Sequence, residues 1–125
     1  MRLTRNLYAE DRPVILMLVL YISVGLLISG LSLPLMWRKI PPNHWYGFRV
    51  RQTLENADVW YAANEFSAKR LLWLGIATVV AAVTLFFLTT RIDVYAMSLA
   101  TVLLVGLGVS LIQSFRYLRT FGADR

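Results

Sequence analysis

Three long runs without a charged residue constrain the fold of this chain more than any other feature. They cover residues 13–37, 71–90 and 94–115. A helix needs about 20 apolar residues to cross a hydrocarbon core of roughly 30 Å, and each run reaches that length. The hydrophobic content of 58% exceeds that of ordinary soluble domains. The sequence therefore predicts an all-α integral membrane protein with three transmembrane helices.

The spacing of the runs predicts one membrane domain over residues 1–125. The first run is too long for a secretory signal peptide, whose apolar region spans about 7–15 residues, so we expect a retained helix. Only residues 91–93 separate the second and third runs, which predicts a tight antiparallel hairpin. Residues 38–70 form the one long connection.

The basic residues indicate the orientation of the chain. With three spans the termini lie on opposite sides of the membrane. Nine basic residues then lie on the side of the C-terminus and four on the side of the N-terminus. The positive-inside rule then places the N-terminus outside and loop 38–70 and the C-terminus in the cytoplasm. The net charge is +6, and the basic residues lie beside apolar spans. We therefore expect them to contact membrane lipid and not nucleic acid. The four are Arg2, Arg5, Arg12 and Arg91, and the nine are Arg38, Lys39, Arg49, Arg51, Lys69, Arg70, Arg116, Arg119 and Arg125.

Within the connection, the sequence predicts a structured loop followed by a helix. The stretch FRVRQT alternates, which would place Arg49 and Arg51 on one face of a short extended piece. Either Thr53 or Asn56 has the character of a helix N-cap. From Ala57 onward the pattern is helical without a breaker, so we expect the second span to carry a helical extension into the loop.

Aromatic and small residues mark the expected surfaces of the spans. The four tryptophans lie near the loop side and fit an interfacial belt: Trp37, Trp45, Trp60 and Trp73. Small residues at four-residue spacing permit close helix packing, although such residues are common in membrane helices generally. They form the pairs Gly25/Ser29, Ala77/Ala81 and Gly106/Ser110.

The loop also carries an ordered set of uncommon residues. An Asn precedes an aromatic-Gly-aromatic-Arg turn, and Thr-Leu, Asn, Trp and Ala-Asn follow. These are Asn43, Tyr46-Gly47-Phe48-Arg49, Thr53-Leu54, Asn56, Trp60 and Ala63-Asn64. This order resembles the SdpI/YfhL family of small bacterial membrane proteins. The resemblance implies a multi-pass protein of the bacterial inner membrane and a role of the immunity-protein type, in which a family member protects its producer from a secreted killing peptide and is linked to control of a cytoplasmic repressor.

The candidate binding residues all lie in this segment. The two arginines could grip a carboxylate or phosphate, or could contact lipid headgroups. The asparagine amides could bind the backbone of a peptide or of the loop itself. The candidates are Asn43, Tyr46, Gly47, Arg49, Arg51, Thr53, Asn56, Trp60 and Asn64.

The sequence offers little for catalysis or metal binding. There is no Cys and one His, which excludes thiolate chemistry and a multi-histidine metal site. His44 could act as a general base but has no Ser nucleophile beside it. Glu55, Asp58 and Glu65 are explained as helix-start and surface charges without a metal. We therefore predict no catalytic residue, no metal and no cofactor.

Three functional interpretations follow. The first is a non-enzymatic immunity-like or signalling membrane protein that binds a peptide toxin or a partner protein. The second is an accessory subunit of a larger membrane complex, docked through the loop and the exposed helix. The third is an interfacial enzyme acting on lipid or peptide. Assembly into an oligomer is open in each case.

Overall fold

The computed structural model describes the backbone of residues 2–123 and the side chains of residues 13–121. The described chain contains helices and no strand, in the order α1 (Arg2–Met36), α2 (Arg51–Glu55), α3 (Ala57–Leu88) and α4 (Ile92–Ala123). The helices α1, α3 and α4 are long and apolar enough to cross a membrane, which confirms the all-α, three-span prediction. Arg125 and the side chains of three N-terminal arginines in the charge count lie outside the described residues.

The three long helices form a bundle with two different ends. Residues 89–91 connect α3 to α4 at the hairpin end, and residues 37–56 lie at the opposite loop end. Helix α3 packs against both α1 and α4, whereas α1 and α4 touch each other much less. A space between α1 and α4 is therefore covered by α3 on one side only.

Two tyrosines fix the hairpin end. Tyr95 is fully buried, and its hydroxyl donates to the carbonyl of Ala82 across the hairpin at 2.9 Å. The hydroxyl of Tyr21 on α1 donates to the carbonyl of Ala96 at 3.1 Å. Each phenol keeps its ring in the apolar core and pairs its hydroxyl with backbone, as a buried hydroxyl requires.

Glycines bring α1 and α3 into close contact, as the small-residue pattern predicts for Gly25 and Ser29. A Cβ atom on Gly25 would lie 2.7 Å from the carbonyl oxygen of Gly75, and one on Gly75 would collide with the Ser29 hydroxyl. Backbones meet here because neither helix carries a side chain between them. The other two small-residue pairs differ in how closely they approach a neighbouring helix. Ala77 is exposed, whereas a Cβ on Gly106 would collide with the Leu74 side chain of α3.

We expect Gly25→Ala to loosen this contact and lower the thermal stability of the protein. The new methyl would meet backbone, which cannot rotate away, and such overpacking costs about 1–3 kcal/mol. Gly30→Ala is the matched control, because nothing lies within 4 Å of a Cβ at that position of the same helix. Thermal unfolding in detergent micelles compares the two. Equal stability of both variants would contradict the close α1–α3 contact.

The end of α1 turns the chain into the loop. The helix continues to Met36, two residues past Pro34. Arg38 has a φ of +58°, and the amides of Arg38 and Lys39 donate to the carbonyls of Leu35 and Pro34. This is the Schellman arrangement, which satisfies the last carbonyls of a helix and reverses the chain.

The predicted extended piece across Arg49 and Arg51 is wrong in its second half. Val50 is extended, with φ −125° and ψ 168°, but α2 begins at Arg51. The reason is a local cap: the side-chain oxygen of Thr53 accepts the Val50 amide at 3.0 Å. That bond satisfies a free amide at the start of a helix and overrides the alternating pattern.

The predicted start of the long helix is confirmed. The side chain of Asn56 accepts the amide of Asp58 at 2.9 Å and that of Val59 at 3.4 Å, which caps α3. From Ala57 the helix runs unbroken to Leu88. The second apolar run therefore continues a helix that begins in the loop segment.

Candidate functional site

Asn64 connects the loop to α3. The side chain is 1% exposed, and its carbonyl oxygen accepts the backbone amide of Phe48 at 2.6 Å. Its amide nitrogen donates to the carbonyl of Trp60 at 2.9 Å, one turn earlier in the same helix. Both ends of the buried carboxamide are thus satisfied inside the protein, and one of them holds the loop backbone.

Gly47 makes that connection geometrically possible. Its φ is +114°, a conformation that residues with a side chain rarely adopt. A Cβ atom here would lie 2.7 Å from the Asn64 carboxamide oxygen and 3.2 Å from the ring of Trp60. The turn therefore needs glycine both for its backbone conformation and for the approach to α3.

Thr53 and Trp60 complete an inward-facing framework. Thr53 is fully buried, and its hydroxyl donates to the carbonyl of Phe48 at 2.9 Å. Trp60 is also fully buried, and its indole nitrogen donates to the carbonyl of Ile40 at 2.8 Å. The assignment of Trp60 to an interfacial belt is therefore wrong, because its ring fills the space beneath the loop. The other three tryptophans are exposed, and the belt stays a prediction for them.

Asn43 holds the first half of the loop. Its side-chain oxygen accepts the amides of Trp45 at 2.8 Å and Tyr46 at 2.7 Å, and its nitrogen donates to the carbonyl of Pro41 at 2.9 Å. This is an Asx turn, in which a side chain replaces a backbone partner. We call the side chains of Asn43, Thr53, Asn56, Trp60 and Asn64, together with Gly47, the loop framework.

Of the three remaining candidates, Arg49 and Arg51 point outward, whereas Tyr46 is half-buried. Their neighbour Trp45, which was not among the candidates, is 90% exposed. The Arg49 side chain is also exposed, and its guanidinium donates to the carbonyl of His44. Arg51 pairs with Glu55 in an exposed salt bridge of 2.8 Å on α2. The structure therefore separates the nine sequence candidates into six framework residues, two outward-facing arginines and the half-buried Tyr46, a separation that the sequence could not make.

The loop is also attached to the ends of α3 and α4. The ring of Phe48 meets that of Phe115 edge to face, with 5.2 Å between centroids. The side chain of Gln52 donates to the carbonyl of Leu118 at 3.1 Å. Arg38 pairs with Glu65 on α3 at 2.7 Å and holds the pKa of that carboxyl below its usual range. The loop is thus a docked unit that spans all three long helices.

A groove lies beside the loop, between α1 and α4 and over α3. Its volume is about 480 Å³, and its lining is predominantly apolar. Tyr46, Gly47 and Phe48 line it from the loop. The Tyr46 hydroxyl is buried and has no hydrogen-bond partner among the described residues, and burial raises its pKa. The sequence analysis named Tyr46 among the candidate binding residues because of its place in the motif, and nothing in the sequence indicated the groove.

The described residues contain no group of three His, Asp or Glu side chains able to hold a metal. Glu55 and Glu65 form the ion pairs above, and they do not share a site with Asp58. His44 is exposed at the surface of the loop. In the structure, Glu55 and Glu65 therefore serve in ion pairs, and His44 lies at the surface.

The fold and the loop framework define a small multi-pass helical membrane protein with one structured connection at one end of its bundle. The family model described as the SdpI/YfhL protein family matches residues 39–114, which is more than half of the chain. The chain belongs to that family. The match begins within the loop and continues into α4, so it includes the whole framework. No curated protein and no solved structure matches the chain.

Proposed function

We propose that this protein is a non-enzymatic immunity or signalling protein of the bacterial inner membrane, which binds a peptide or a partner protein at its loop end. The loop end faces the cytoplasm in this proposal, as the bias of nine basic residues to four favours. One observation carries the proposal: the loop framework uses its polar groups internally and leaves Trp45 and Arg49 outside.

The physical argument rests on preorganisation. A loop that is already fixed loses little conformational entropy on binding, so more of its contact energy becomes affinity. Trp and Arg are the residues that most often dominate binding energy at protein interfaces. The guanidinium of Arg49 uses one donor on His44, and an arginine has five, so donors remain for an anionic group of the partner.

We expect Arg49→Lys to impair function while the protein still inserts and folds. Lysine keeps the positive charge but loses the planar pair of donors that grips a carboxylate. The weakened contact should cost about 1–3 kcal/mol of binding, or roughly 5- to 150-fold in affinity. The measurement is survival of cells challenged with secreted peptide toxins from bacteria that carry SdpI/YfhL proteins, beside affinity capture of a cytoplasmic partner.

Lys39→Arg is the control for bulk charge, since it lies in the same connection and keeps its charge. It should behave like the unchanged protein in both assays. The abundance of each variant in the membrane fraction separates loss of function from loss of folding. If Arg49→Lys protects and binds as well as the unchanged protein at equal abundance, Arg49 serves only as a headgroup charge and the binding surface lies elsewhere.

A further inference from the structure

Helix α3 carries a basic face at the point where its apolar run begins. We define this basic face as Phe66, Lys69, Arg70 and Trp73, whose spacing places them on one side of the helix. Their side chains line one depression in the surface. Arg70 is the last charged residue before the charge-free run 71–90. The basic face lies apart from the loop framework and from the groove between α1 and α4.

The basic face has an excess of positive charge. The carboxylate of Glu65 lies beside it and is shared, because Arg38 donates to one oxygen at 2.7 Å and the Lys69 ammonium lies 3.4 Å from the other. Arg70 forms no ion pair with an acidic side chain among the described residues. Three cations therefore lie around one carboxylate, and their combined field attracts a further anionic group.

Aromatic rings hold the side chain of Arg70 in place. Its guanidinium carbon lies 4.8 Å from the centroid of the Phe66 ring, which is the range of a cation–π contact. The Phe66 ring in turn stacks on Tyr117 of α4, with 4.3 Å between centroids and 6° between planes. A guanidinium that lies over a ring keeps N–H donors at its edge, and these donors match the oxygens of a phosphate.

The position of the basic face along α3 indicates the source of its ligand. Trp73 lies three residues beyond Arg70, about 4.5 Å further into the apolar run at the rise of a helix. Its side chain is 68% exposed, and exposed tryptophans of membrane proteins concentrate where lipid headgroups meet hydrocarbon. A phospholipid brings a phosphate to the cations and glycerol and acyl carbons to the indole. A water-soluble anion would leave the indole without a partner.

We propose that the basic face binds the headgroup of one anionic phospholipid. Arg70 donates to the phosphate oxygens through its planar fork, Lys69 adds a point charge, and Trp73 packs against the glycerol region. Basic pockets beside membrane-spanning helices bind anionic headgroups in this way. A zwitterionic headgroup binds less tightly, because its own ammonium group is repelled by the two cations. This site is separate from the partner surface at Trp45 and Arg49.

The experiment titrates lipid into the full-length protein in dodecyl maltoside micelles and counts bound molecules by native mass spectrometry. Phosphatidylglycerol is the probe, and phosphatidylcholine tests whether net negative charge is needed. Glycerol phosphate supplies the phosphate without acyl chains, and hexaglutamate supplies an acidic peptide. We expect one phosphatidylglycerol to bind more tightly than any of the other three compounds.

Three variants test the assignment of residues. Arg70→Gln should weaken phosphatidylglycerol binding about fivefold, because it removes one cation at the lipid surface. Arg70→Lys should weaken it about two- to threefold, because lysine keeps the charge but loses the fork and the stacking on Phe66. Arg116→Gln is the matched control: it removes an exposed arginine at the end of the third charge-free run that does not line the depression. Its binding should be nearly unchanged.

A loss in Arg70→Gln that Arg116→Gln does not share supports the proposal. The melting temperature in lipid-free micelles should be the same for both variants, because Arg70 is exposed and has no ion pair among the described residues. Equal losses of binding in the two variants would overturn the site in favour of diffuse attraction. Phosphatidylcholine, glycerol phosphate or hexaglutamate binding as tightly as phosphatidylglycerol would overturn it as well.

Discussion

Gly47→Ala should unfold the loop while leaving the three long helices inserted. A residue with a side chain at φ +114° costs about 1–3 kcal/mol in backbone strain. The added methyl would also lie 2.7 Å from the carboxamide oxygen of Asn64, and such overpacking costs about 1–3 kcal/mol more. Limited proteolysis between α1 and α3 and thermal unfolding in micelles both report the change.

Two variants separate these costs. Gly108→Ala is the control for adding a methyl, because nothing lies within 4 Å of a Cβ there. In the double variant Gly47→Ala, Asn64→Ala the collision with the Asn64 carboxamide is removed, whereas the backbone strain and the close contact with the Trp60 ring remain, so the two effects should not be additive. A Gly47→Ala protein with unchanged proteolysis and melting temperature would show that the turn does not approach α3.

Asn64→Leu should have the next largest effect, because it removes the polar group that joins the loop to α3. Leucine of similar size leaves the amide of Phe48 buried without its acceptor at 2.6 Å. An unsatisfied buried donor costs about 1–3 kcal/mol. We expect a lower melting temperature and rapid hydrogen exchange at the Phe48 amide.

Asn43→Ala is the comparison for Asn64→Leu. It removes an Asx turn in a more exposed part of the loop, where water can replace the lost hydrogen bonds. Its effect on the melting temperature should be smaller. If the two variants are equally stable, the buried carboxamide of Asn64 is not the main connection between loop and helix.

The three-helix bundle could be predicted from local features of the sequence. The length and apolarity of each charge-free run required a spanning helix, and Asn56 before Ala57 placed the start of α3. Close packing at Gly25 also follows a rule that depends on residue size alone, although that rule did not say that α3 would be the partner.

The loop was harder to predict. Its motif shows which residues the loop needs, but it does not show which way their side chains point. Asn64 and Trp60 face inward and Trp45 faces outward, although all three are equally suited to binding by chemistry. The alternating pattern through Arg49 predicted an extended segment. Instead, Thr53 accepts the Val50 amide and donates to the Phe48 carbonyl, and these hydrogen bonds start a helix. Such choices depend on contacts between segments distant in sequence.

The groove was beyond sequence reasoning for the same reason. Its walls come from α1, the loop, α3 and α4, and no single segment contains its pattern. The Tyr46 hydroxyl can be identified as unpaired only when every neighbouring donor and acceptor in the described chain has been placed.

The central claim is that the loop end is the face that a cytoplasmic partner meets. Because the chain has no cysteine, single-cysteine variants report the side of the membrane directly. His44→Cys lies on the exposed loop, and Thr90→Cys on the exposed hairpin end. A membrane-impermeant maleimide should label Thr90→Cys in intact spheroplasts and His44→Cys only after permeabilisation. Labelling of His44→Cys in intact spheroplasts, with Thr90→Cys protected until permeabilisation, would contradict the claim.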